Sequence, residues 1–552
     1  MIRHNLVLPA LVLTGFGSLI ASYQSPIFHV NTQMVQVDVV VHGKNGPVTN
    51  LTQGDFTILD NGKPQQISLF SVHSSQADKP AISSPLAPGV VSNRLTRSGE
   101  EPPSPTVILW DALNTETSDQ AWVRTQVIDY LRALHPGDPI AVFILVKNLH
   151  VIQDFTTDST QLITALSKTN AEQSADLSAP DLTDLQGQIA QSGVASQELQ
   201  DAAVAAAAEM TDHALRDQVY ITQAALESIA EHLSGMPGRK KLVWISGSFP
   251  ALTFNQRHRM GASQIEILDF SPQLYHAIRA LNGANVAVYP IDPRGVTTGF
   301  NAPANRPQFI DPSKSPAAAN TAHVPEGDLT APGLDTMNLL AGGTGGQAFY
   351  ATNDAVGAMK TIMEDGGVTY RLGFYPSDAK LDGSYHTLSV KVARKGPAVA
   401  NVRARKGYFA LDASNSANGH WRDRLNESMR NPLDATQLGL RASALPVKGI
   451  PGAYELSLVL DLDGVHFERS PSGRWVAGIA LGTRFGQDDS AKGSLETIRI
   501  SLTENRLREA LQKGYTLHRK LAAGSATGYL HVVVEDAATG ALGSVHVPVG
   551  TQ

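Results

Sequence analysis

Cysteine is absent from this chain of 552 residues. Its absence excludes disulfide bonds, a lipid-anchored cysteine, thiol catalysis and zinc sites built from cysteine. Positive charge is also scarce, since 44 Lys and Arg stand against 51 Asp and Glu and the formal net charge is −7. No basic field is present to collect phosphates, so neither nucleic acid nor a membrane surface is an expected partner. The chain must rest on its hydrophobic cores, and its length suffices for roughly three or four domains.

Long apolar runs are also missing, except at the start of the chain. A run from Leu6 to Ala21 follows Arg3 and closes on the small residues Ala21 and Ser22. This pattern predicts a secretory signal peptide over residues 1–22 and hence a secreted or periplasmic protein. An uncleaved membrane anchor is the alternative, although the run is short of the roughly 20 residues that a span needs. No other membrane insertion is expected.

Alternation of apolar and polar residues predicts β-structure on both sides of the middle of the chain. Residues 28–75 alternate in this way, with Asn-Gly pairs at the turns, and predict an N-terminal β module. Residues 76–104 are rich in Ser, Pro and Gly, which is typical of a linker. Strand-like alternation returns in residues 377–412. Our hypothesis is that strands within residues 380–412 complete the N-terminal module, so that the domain between them is an insertion.

Residues 105–376 have a different pattern, in which short apolar runs alternate with amphipathic helical segments. The runs are TVILW, IAVFIL, KLVWIS and NVAVYPI. Such strands imply parallel pairing with right-handed crossovers and helices on both faces. We therefore predict a doubly wound, Rossmann-like α/β domain with a mostly parallel sheet. Two insertions, residues 170–210 and 295–333, are expected to form loops or a marginal helix over the sheet.

The last part of the chain is predicted to be a separate domain. Residues 413–435 are polar and charged, and are expected to form a second linker. Residues 436–552 contain five strictly alternating segments separated by turns. They predict a C-terminal β-sandwich.

A candidate site lies where the first predicted parallel strand ends. Asp111 follows TVILW directly, and Asn114 and Thr115 add oxygen atoms within the next turn. Ligands of open α/β sheets bind at the carboxyl ends of the strands, and Mg²⁺ prefers oxygen ligands. The alternative is that Asp111 only caps the following turn by accepting backbone N–H bonds.

The chain resembles the von Willebrand factor A-type (vWA) family, and more closely the variant found in secreted proteins of Acidobacteria. The resemblance extends over about residues 33–410 and rests on the segments NLTQGDFTILDNGKPQQI, ILWDALNTETSDQ, QDFTTD, GRKKLVWISGSFP, YRLGFYPSDAKLDGSYHTLSVKV and VRARKGYF. It implies a vWA-like α/β fold that binds a protein ligand. In the family this binding uses a metal ion held by Asp-x-Ser-x-Ser, a distant Thr and a distant Asp.

Carried over by residue, the resemblance implies a degenerate metal site. Asp111 matches the first position and Thr115 the third, but Leu113 replaces the middle Ser. Ser246-Gly247-Ser248 stands where the family has Thr-Asp-Gly, so the second carboxylate is missing. The distant Thr cannot be placed from the sequence, and Thr211 is a candidate for it. We therefore expect no bound cofactor, with Mg²⁺ or Mn²⁺ at Asp111 and Thr115 as the alternative.

No catalytic constellation accompanies this site. Ser246 and Ser248 lie at a strand end but not in Gly-x-Ser-x-Gly, and no His-Glu-x-x-His occurs. The sequence thus favours a non-enzymatic interaction protein with a protein partner. The expected contact surface consists of Asp111, Asn114, Thr115, Ser246 and Ser248. An envelope-associated enzyme or assembly factor, with its chemistry in the insertions, is the alternative.

Overall fold

The computed structural model describes most of the chain. The described ranges are 34–43, 46–74, 86–94, 104–133, 139–169, 197–249, 251–259, 262–295, 333–365, 367–377, 382–393, 399–410, 421–486, 493–522 and 528–549. The predicted signal segment and most of both predicted insertions lie outside these ranges. Within them, none of the helices combines the length and the apolar character needed to cross a lipid bilayer.

The secondary structure up to residue 291 alternates between strands and helices after an initial block of strands. In order, the elements are β1 Val35–Gly43, β2 Gly46–Pro47, β3 Phe56–Asp60, β4 Lys63–Gln65, β5 Ile67–Ser74, β6 Val91–Ser92, β7 Thr106–Asp111, α1 Thr117–Ala133, β8 Ile140–Leu145, β9 Leu149–Thr156, α2 Ser159–Lys168, α3 Gln197–Ser234, β10 Lys240–Ile245, β11 Leu252–Arg259, β12 Ala262–Asp269, α4 Ser271–Gly283 and β13 Val286–Ile291.

The remainder of the chain is richer in strands. The elements are α5 Leu334–Thr344, α6 Ala355–Glu364, β14 Val368–Phe374, β15 Tyr385–Val392, β16 Val399–Arg403, β17 Gly407–Phe409, α7 Trp421–Ser428, β18 Leu440–Pro446, β19 Ala453–Leu460, β20 Glu468–Arg469, β21 Trp475–Phe485, β22 Ser494–Leu502, α8 Glu504–Lys513, β23 Tyr515–Ala522, β24 Gly528–Asp536 and β25 Leu542–Val549.

A five-stranded sheet with the order β13-β10-β7-β8-β9 forms the centre of the α/β domain. The pairs β13–β10, β10–β7 and β7–β8 are parallel, whereas β8–β9 is antiparallel. Every residue of the four parallel strands is buried, as expected for a sheet covered on both faces. The α/β class is as predicted. The antiparallel edge strand β9 and the hairpin β11–β12 are additions that the sequence analysis does not assign.

Helices pack against both faces of this sheet. Along β7, Val107 and Leu109 belong to one hydrophobic cluster, which also contains residues of α3, α4 and α5. Their neighbours Ile108 and Trp110 belong to a second cluster with residues of α1, α2 and α6. Successive strand side chains point to opposite faces, so one apolar run supplies both cores. The carboxyl ends of the strands are thereby held on a rigid base.

The strands that precede and follow the α/β domain share two sheets. One has the order β16-β1-β14-β5 with β2 beside β1, and the other has the order β17-β15-β3-β4. β16 pairs with β1 and β15 with β3, as the hypothesis of completion by residues 380–412 requires. The predicted α/β range 105–376 also includes β14, yet β14 pairs with β1 and β5. An apolar run fits a buried strand in either sheet, so local pattern does not select its partner.

The C-terminal domain contains two antiparallel sheets around one core. Their orders are β23-β19-β18-β6 and β20-β21-β24-β25, with β22 beside β21. Leu458, Ile479, Val532 and Val545 are among the fully or almost fully buried residues between them. Beyond the five predicted segments, residues 436–552 also contain β18, β20, β23 and α8.

Both predicted linkers contain segments that pack. Within residues 76–104, β6 pairs with β18, and the buried Asn93 side chain donates to the carbonyls of Ala435 and Leu438. Within residues 413–435, α7 buries Leu425 against the C-terminal domain. Polar composition indicates exposure of most residues in a segment, but a single buried Asn or Leu is enough to anchor it.

Candidate functional site

The candidate site is built on the carboxyl ends of β7 and β10. Asp111 is the last residue of β7 and is completely buried. Parallel pairing places Ile245, the last residue of β10, beside Trp110, so the following residue, Ser246, comes next to Asp111. Register alone therefore brings the two strand-end positions of the sequence analysis together.

Four donors from the described residues surround the carboxylate of Asp111. The backbone N–H of Asn114 donates to Oδ1 at 3.0 Å. Oδ2 accepts from Asn114 Nδ2 at 2.8 Å, from Trp244 Nε1 at 3.0 Å and from Ser246 Oγ at 2.8 Å. Burial raises the pKa of Asp111, and the hydrogen bonds from Asn114, Ser246 and Trp244 act against this rise. The negative charge of the carboxylate is thus stabilised by neutral hydrogen-bond donors of the protein.

Thr115 joins the two strand-end loops. Its Oγ1 donates to the backbone carbonyl of Asp111 at 2.6 Å and accepts from the N–H of Gly247 at 3.1 Å. Gly247 has no room for a side chain, because a Cβ there would lie 2.5 Å from the carbonyl oxygen of Asn114. The hydroxyl of Thr115 is therefore used both as a donor and as an acceptor, and the two loops are in direct contact.

Two polar atoms in the same loops have no hydrogen-bond partner within the described part of the chain. They are Oδ1 of Asn114 and Oγ of Ser248, both buried as atoms. Ser248 has a φ of 62°, a left-handed conformation that is uncommon for serine, and its N–H donates to Ser246 Oγ at 2.8 Å. Such backbone strain is found at binding sites more often than elsewhere.

Thr222, and not Thr211, is the threonine that α3 brings to this cluster. Its Oγ1 accepts from Asn114 Nδ2 at 2.8 Å, and Thr222 is fully buried. Thr211 is on the same helix eleven residues earlier, which is about 16 Å along the helix axis. The choice of Thr211 is therefore wrong. Thr222 and Trp244 were missed because only tertiary packing brings their side chains to Asp111.

The arrangement does not fit a hexacoordinate cation such as Mg²⁺ or Mn²⁺. Such ions need several oxygen lone pairs directed at one point. Here both oxygens of Asp111 accept bonds from N–H and O–H donors, and nitrogen-bound hydrogens cannot ligate a cation. The hydroxyls of Thr115 and Ser246 are likewise engaged with the backbone and with Asp111. The N–H and O–H groups that donate to Asp111 thus occupy the side of the carboxylate that a metal ion would need.

Acidic side chains surround the loops at this end of the sheet. Asp292 follows β13 and forms a bidentate ion pair with Arg294. Nε of Arg294 donates to Oδ1 at 2.9 Å and Nη2 donates to Oδ2 at 2.8 Å. The pKa of Asp119 is raised by partial burial first, and then by the negative charges of Glu116 and Asp292. Three carboxylates with one arginine make this rim acidic.

Ser246 does not have the surroundings of a hydrolytic nucleophile. Its Oγ is fully buried, donates to Asp111 and accepts from the N–H of Ser248. A catalytic serine would need an adjacent general base, usually histidine, and an approach for substrate. The hydrogen bonds of Ser246 with Asp111 and Ser248 stabilise the loop structure instead.

No protein-family model matches the chain, and no curated protein sequence does. Solved structures are similar at low identity. A von Willebrand factor type A protein from Catenulispora acidiphila shares 10% identity, with 88% of this chain and 75% of that chain covered and a TM-score of 0.23. An aerotolerance-related membrane protein from Bacteroides fragilis shares 10%, with 47% and 98% covered and a TM-score of 0.25. Proximal thread matrix protein 1 from the mussel byssus, with a zinc-occupied MIDAS motif, shares 10%, with 48% and 46% covered and a TM-score of 0.23.

Proposed function

We propose that this chain is a secreted or periplasmic, non-enzymatic protein that binds a protein partner through a doubly wound, vWA-like α/β domain without a metal ion. The binding surface is the rim of the strand-end region, where Asn114 and Ser248 are partly exposed and Glu116 is exposed, and it rests on the buried Asp111, Thr115 and Ser246. The observation that carries this proposal is the set of protein donors around Asp111, which makes a rigid platform where a metal ion would otherwise be needed. The resemblance of the sequence to the vWA family supports protein binding as the role.

The chemistry of the surface favours a partner with donor groups. The polar groups that a partner can reach include the exposed carboxylate of Glu116 and the partly exposed carboxylate of Asp119, and both accept hydrogen bonds. They also give this rim of the site negative charge. Complementary charge speeds association and excludes wrong partners. A partner surface with basic or amide side chains therefore suits this site better than the acidic ligand side chain that a bound metal would attract.

Photo-crosslinking tests this proposal while the partner is still unidentified. A photoreactive amino acid replaces Glu116, which is exposed, and the matched control replaces Asp463, an exposed acidic residue of the C-terminal domain. We expect one discrete protein to be crosslinked from position 116 and not from position 463, and to be captured equally in the presence of EDTA. Crosslinking that EDTA abolishes would contradict a metal-free site, and equal labelling from both positions would place the binding surface elsewhere.

Charge reversal then tests the recognition chemistry with the captured partner. Glu116→Lys and Asp119→Lys are expected to lower the association rate by about 10-fold each at low salt, with a smaller effect at high salt. Asp463→Lys has the same change in net charge and is expected to leave the rate unchanged. An association rate that responds equally to all three variants would show that only total charge matters.

A further inference from the structure

A second cluster of ligand-type side chains lies in the C-terminal domain, far along the chain from the strand-end site. One ring nitrogen each of His531 and His546 and a carboxylate oxygen of Asp434 lie within 4.8 Å of one another. His531 on β24 and His546 on β25 are directly paired across the antiparallel ladder. Asp434 comes from the segment that connects α7 to β18. Two chemistries, imidazole and carboxylate, thus converge from three parts of the domain.

His531 has the protonation pattern of a metal ligand. Its side chain is buried, with 3% exposure, and its Nδ1 donates to the backbone carbonyl of Met429 at 3.0 Å. The proton is therefore on Nδ1, and Nε2 carries a lone pair that has no partner within the described part of the chain. Ligating histidines typically donate their other ring N–H to such a carbonyl.

The other two side chains are reachable from solvent. His546 Nδ1 and Asp434 Oδ1 are 2.7 Å apart, and each side chain is 26% exposed. The two imidazole rings stack with their centroids 3.8 Å apart and an angle of 20° between their planes. Nearly parallel rings direct their lone pairs in nearly parallel directions, so a shared ion requires the partly exposed His546 ring to rotate about its side-chain bonds. The buried His531 ring supplies the fixed part of the site.

We propose that Asp434, His531 and His546 bind one divalent transition-metal ion of the Zn²⁺ class. Two imidazoles and one carboxylate suit Zn²⁺, Ni²⁺ or Cu²⁺, whereas Mg²⁺ and Ca²⁺ prefer an all-oxygen shell. The ion takes the place of the proton between His546 Nδ1 and Asp434 Oδ1, and that proton is released to solvent. Water completes the tetrahedron. This site is separate from the metal-free surface of the proposed function and does not depend on it.

Metal binding here would act on the junction between domains. The backbone carbonyl of Asp434 accepts from Nδ1 of His232, near the end of α3, at 2.7 Å. An ion that links the Asp434 side chain to β24 and β25 therefore also holds α3 against the C-terminal domain. Binding to the folded state alone raises the unfolding temperature by mass action.

Calorimetric titration of the metal-free full chain with Zn²⁺ tests the proposal. We expect one equivalent to bind, with about one proton released, as shown by titrations in buffers of different ionisation enthalpy. His531→Gln and His546→Gln are each expected to lower the affinity by more than about 10-fold, the smallest effect usually seen even for groups around the ligands. The matched control is His518→Gln, an exposed histidine on β23. Equal affinity in all three variants, or no stoichiometric binding by the parent chain, would overturn the assignment.

X-ray absorption of the zinc-loaded parent chain gives a second test that requires no variant to fold. The expected shell has nitrogen and oxygen at about 2.0–2.1 Å, with the outer-shell scattering of two imidazoles. A shell of oxygen atoms only, or of one imidazole, would refute the site.

Discussion

At the scale of single residues, the main feature is a fully buried carboxylate that is solvated by protein donors. Burial of a charge is costly unless hydrogen bonds compensate for it. Asp111 has no cationic partner among its contacts in the described structure; it accepts instead from two N–H groups of Asn114, one indole N–H and one hydroxyl. The stability of the strand-end loops therefore depends on these neutral donors.

The Trp244→Phe variant removes one of these donors, the indole N–H. Phenylalanine keeps most of the buried ring, but Oδ2 of Asp111 loses the indole N–H at 3.0 Å. Hydrogen bonds to charged groups contribute about 1.5–3 kcal/mol, and we expect the free energy of unfolding to fall by about this amount. Guanidinium titration followed by far-UV circular dichroism measures it.

Trp475→Phe is the control for this change. The indole of Trp475 also donates to a carboxylate, that of Glu504 at 2.6 Å, but this carboxylate is exposed. Water replaces the lost donor at an exposed position, so the expected loss is within about 0.5 kcal/mol. Equal losses in the two variants would show that the indole N–H of Trp244 does not support Asp111.

At the scale of secondary-structure elements, helix α3 connects the candidate site with the C-terminal domain. Thr222 of α3 accepts a hydrogen bond from Asn114 of the candidate site. Nearer the end of α3, the carbonyl of Glu231 accepts from the N–H of Thr436, and Nδ1 of His232 donates to the carbonyl of Asp434, in the segment that follows α7. Glu231 and Glu227 of α3 share a region with Glu427 of α7. The carboxylate of Glu231 is repelled by the other two, so we expect the contact between α3 and α7 to respond to pH.

Glu231→Gln tests this response. Burial, followed by the charges of Glu427 and Glu227, raises the pKa of Glu231 from 4.5 to about 7. The folded state holds this proton more tightly, so the stabilisation is complete below pH 4.5 and is lost as the pH rises through 7. Glutamine imitates the protonated form. We expect the variant to gain about 1–3 kcal/mol of stability relative to the parent as the pH rises from 5 to 8.

Unfolding temperatures across pH 5 to 8 measure this difference. Glu209→Gln is the matched control, because Glu209 is an exposed residue of the same helix. It is expected to differ from the parent by a constant amount at every pH. A Glu231→Gln variant that follows the parent in parallel would show that Glu231 is already ionised at pH 5.

At the scale of the whole molecule, one tight backbone contact joins the α/β domain to the C-terminal domain. The N–H of Gly235, just after α3, donates to Thr436 Oγ1 at 2.9 Å, and that hydroxyl donates to the carbonyl of His232 at 2.7 Å. A Cβ at Gly235 would lie 1.7 Å from the carbonyl oxygen of Thr436. The two domains can approach this closely only because position 235 has no side chain.

Gly235→Ala is therefore expected to loosen the junction. Backbone atoms cannot move aside as a flexible side chain can, and overpacking of this kind costs about 1–3 kcal/mol. We expect a lower unfolding temperature and faster proteolysis between residues 429 and 440. Gly283→Ala, at the end of α4, is the control because a Cβ there meets nothing within 4 Å. It is expected to be neutral or slightly stabilising, and equal behaviour of the two variants would show that the junction is not tight.

The sequence by itself determined the local structure. Fully apolar runs such as that of β7 indicate buried parallel strands, and alternation such as that of β19 indicates half-buried strands. Both signals lie within a few consecutive residues, so they do not depend on how distant segments pair. The position of Asp111 at a strand end follows from the same pattern, as does the nearness of Asn114 and Thr115.

Only the tertiary structure decided which strands pair and what surrounds Asp111. Val39 pairs with Tyr370, and β6 with β18, across hundreds of residues. Trp244 and Thr222 reach the site through parallel register and helix packing. Strand partners are selected by the fit of side chains from distant segments, and a periodic pattern carries no information about that fit.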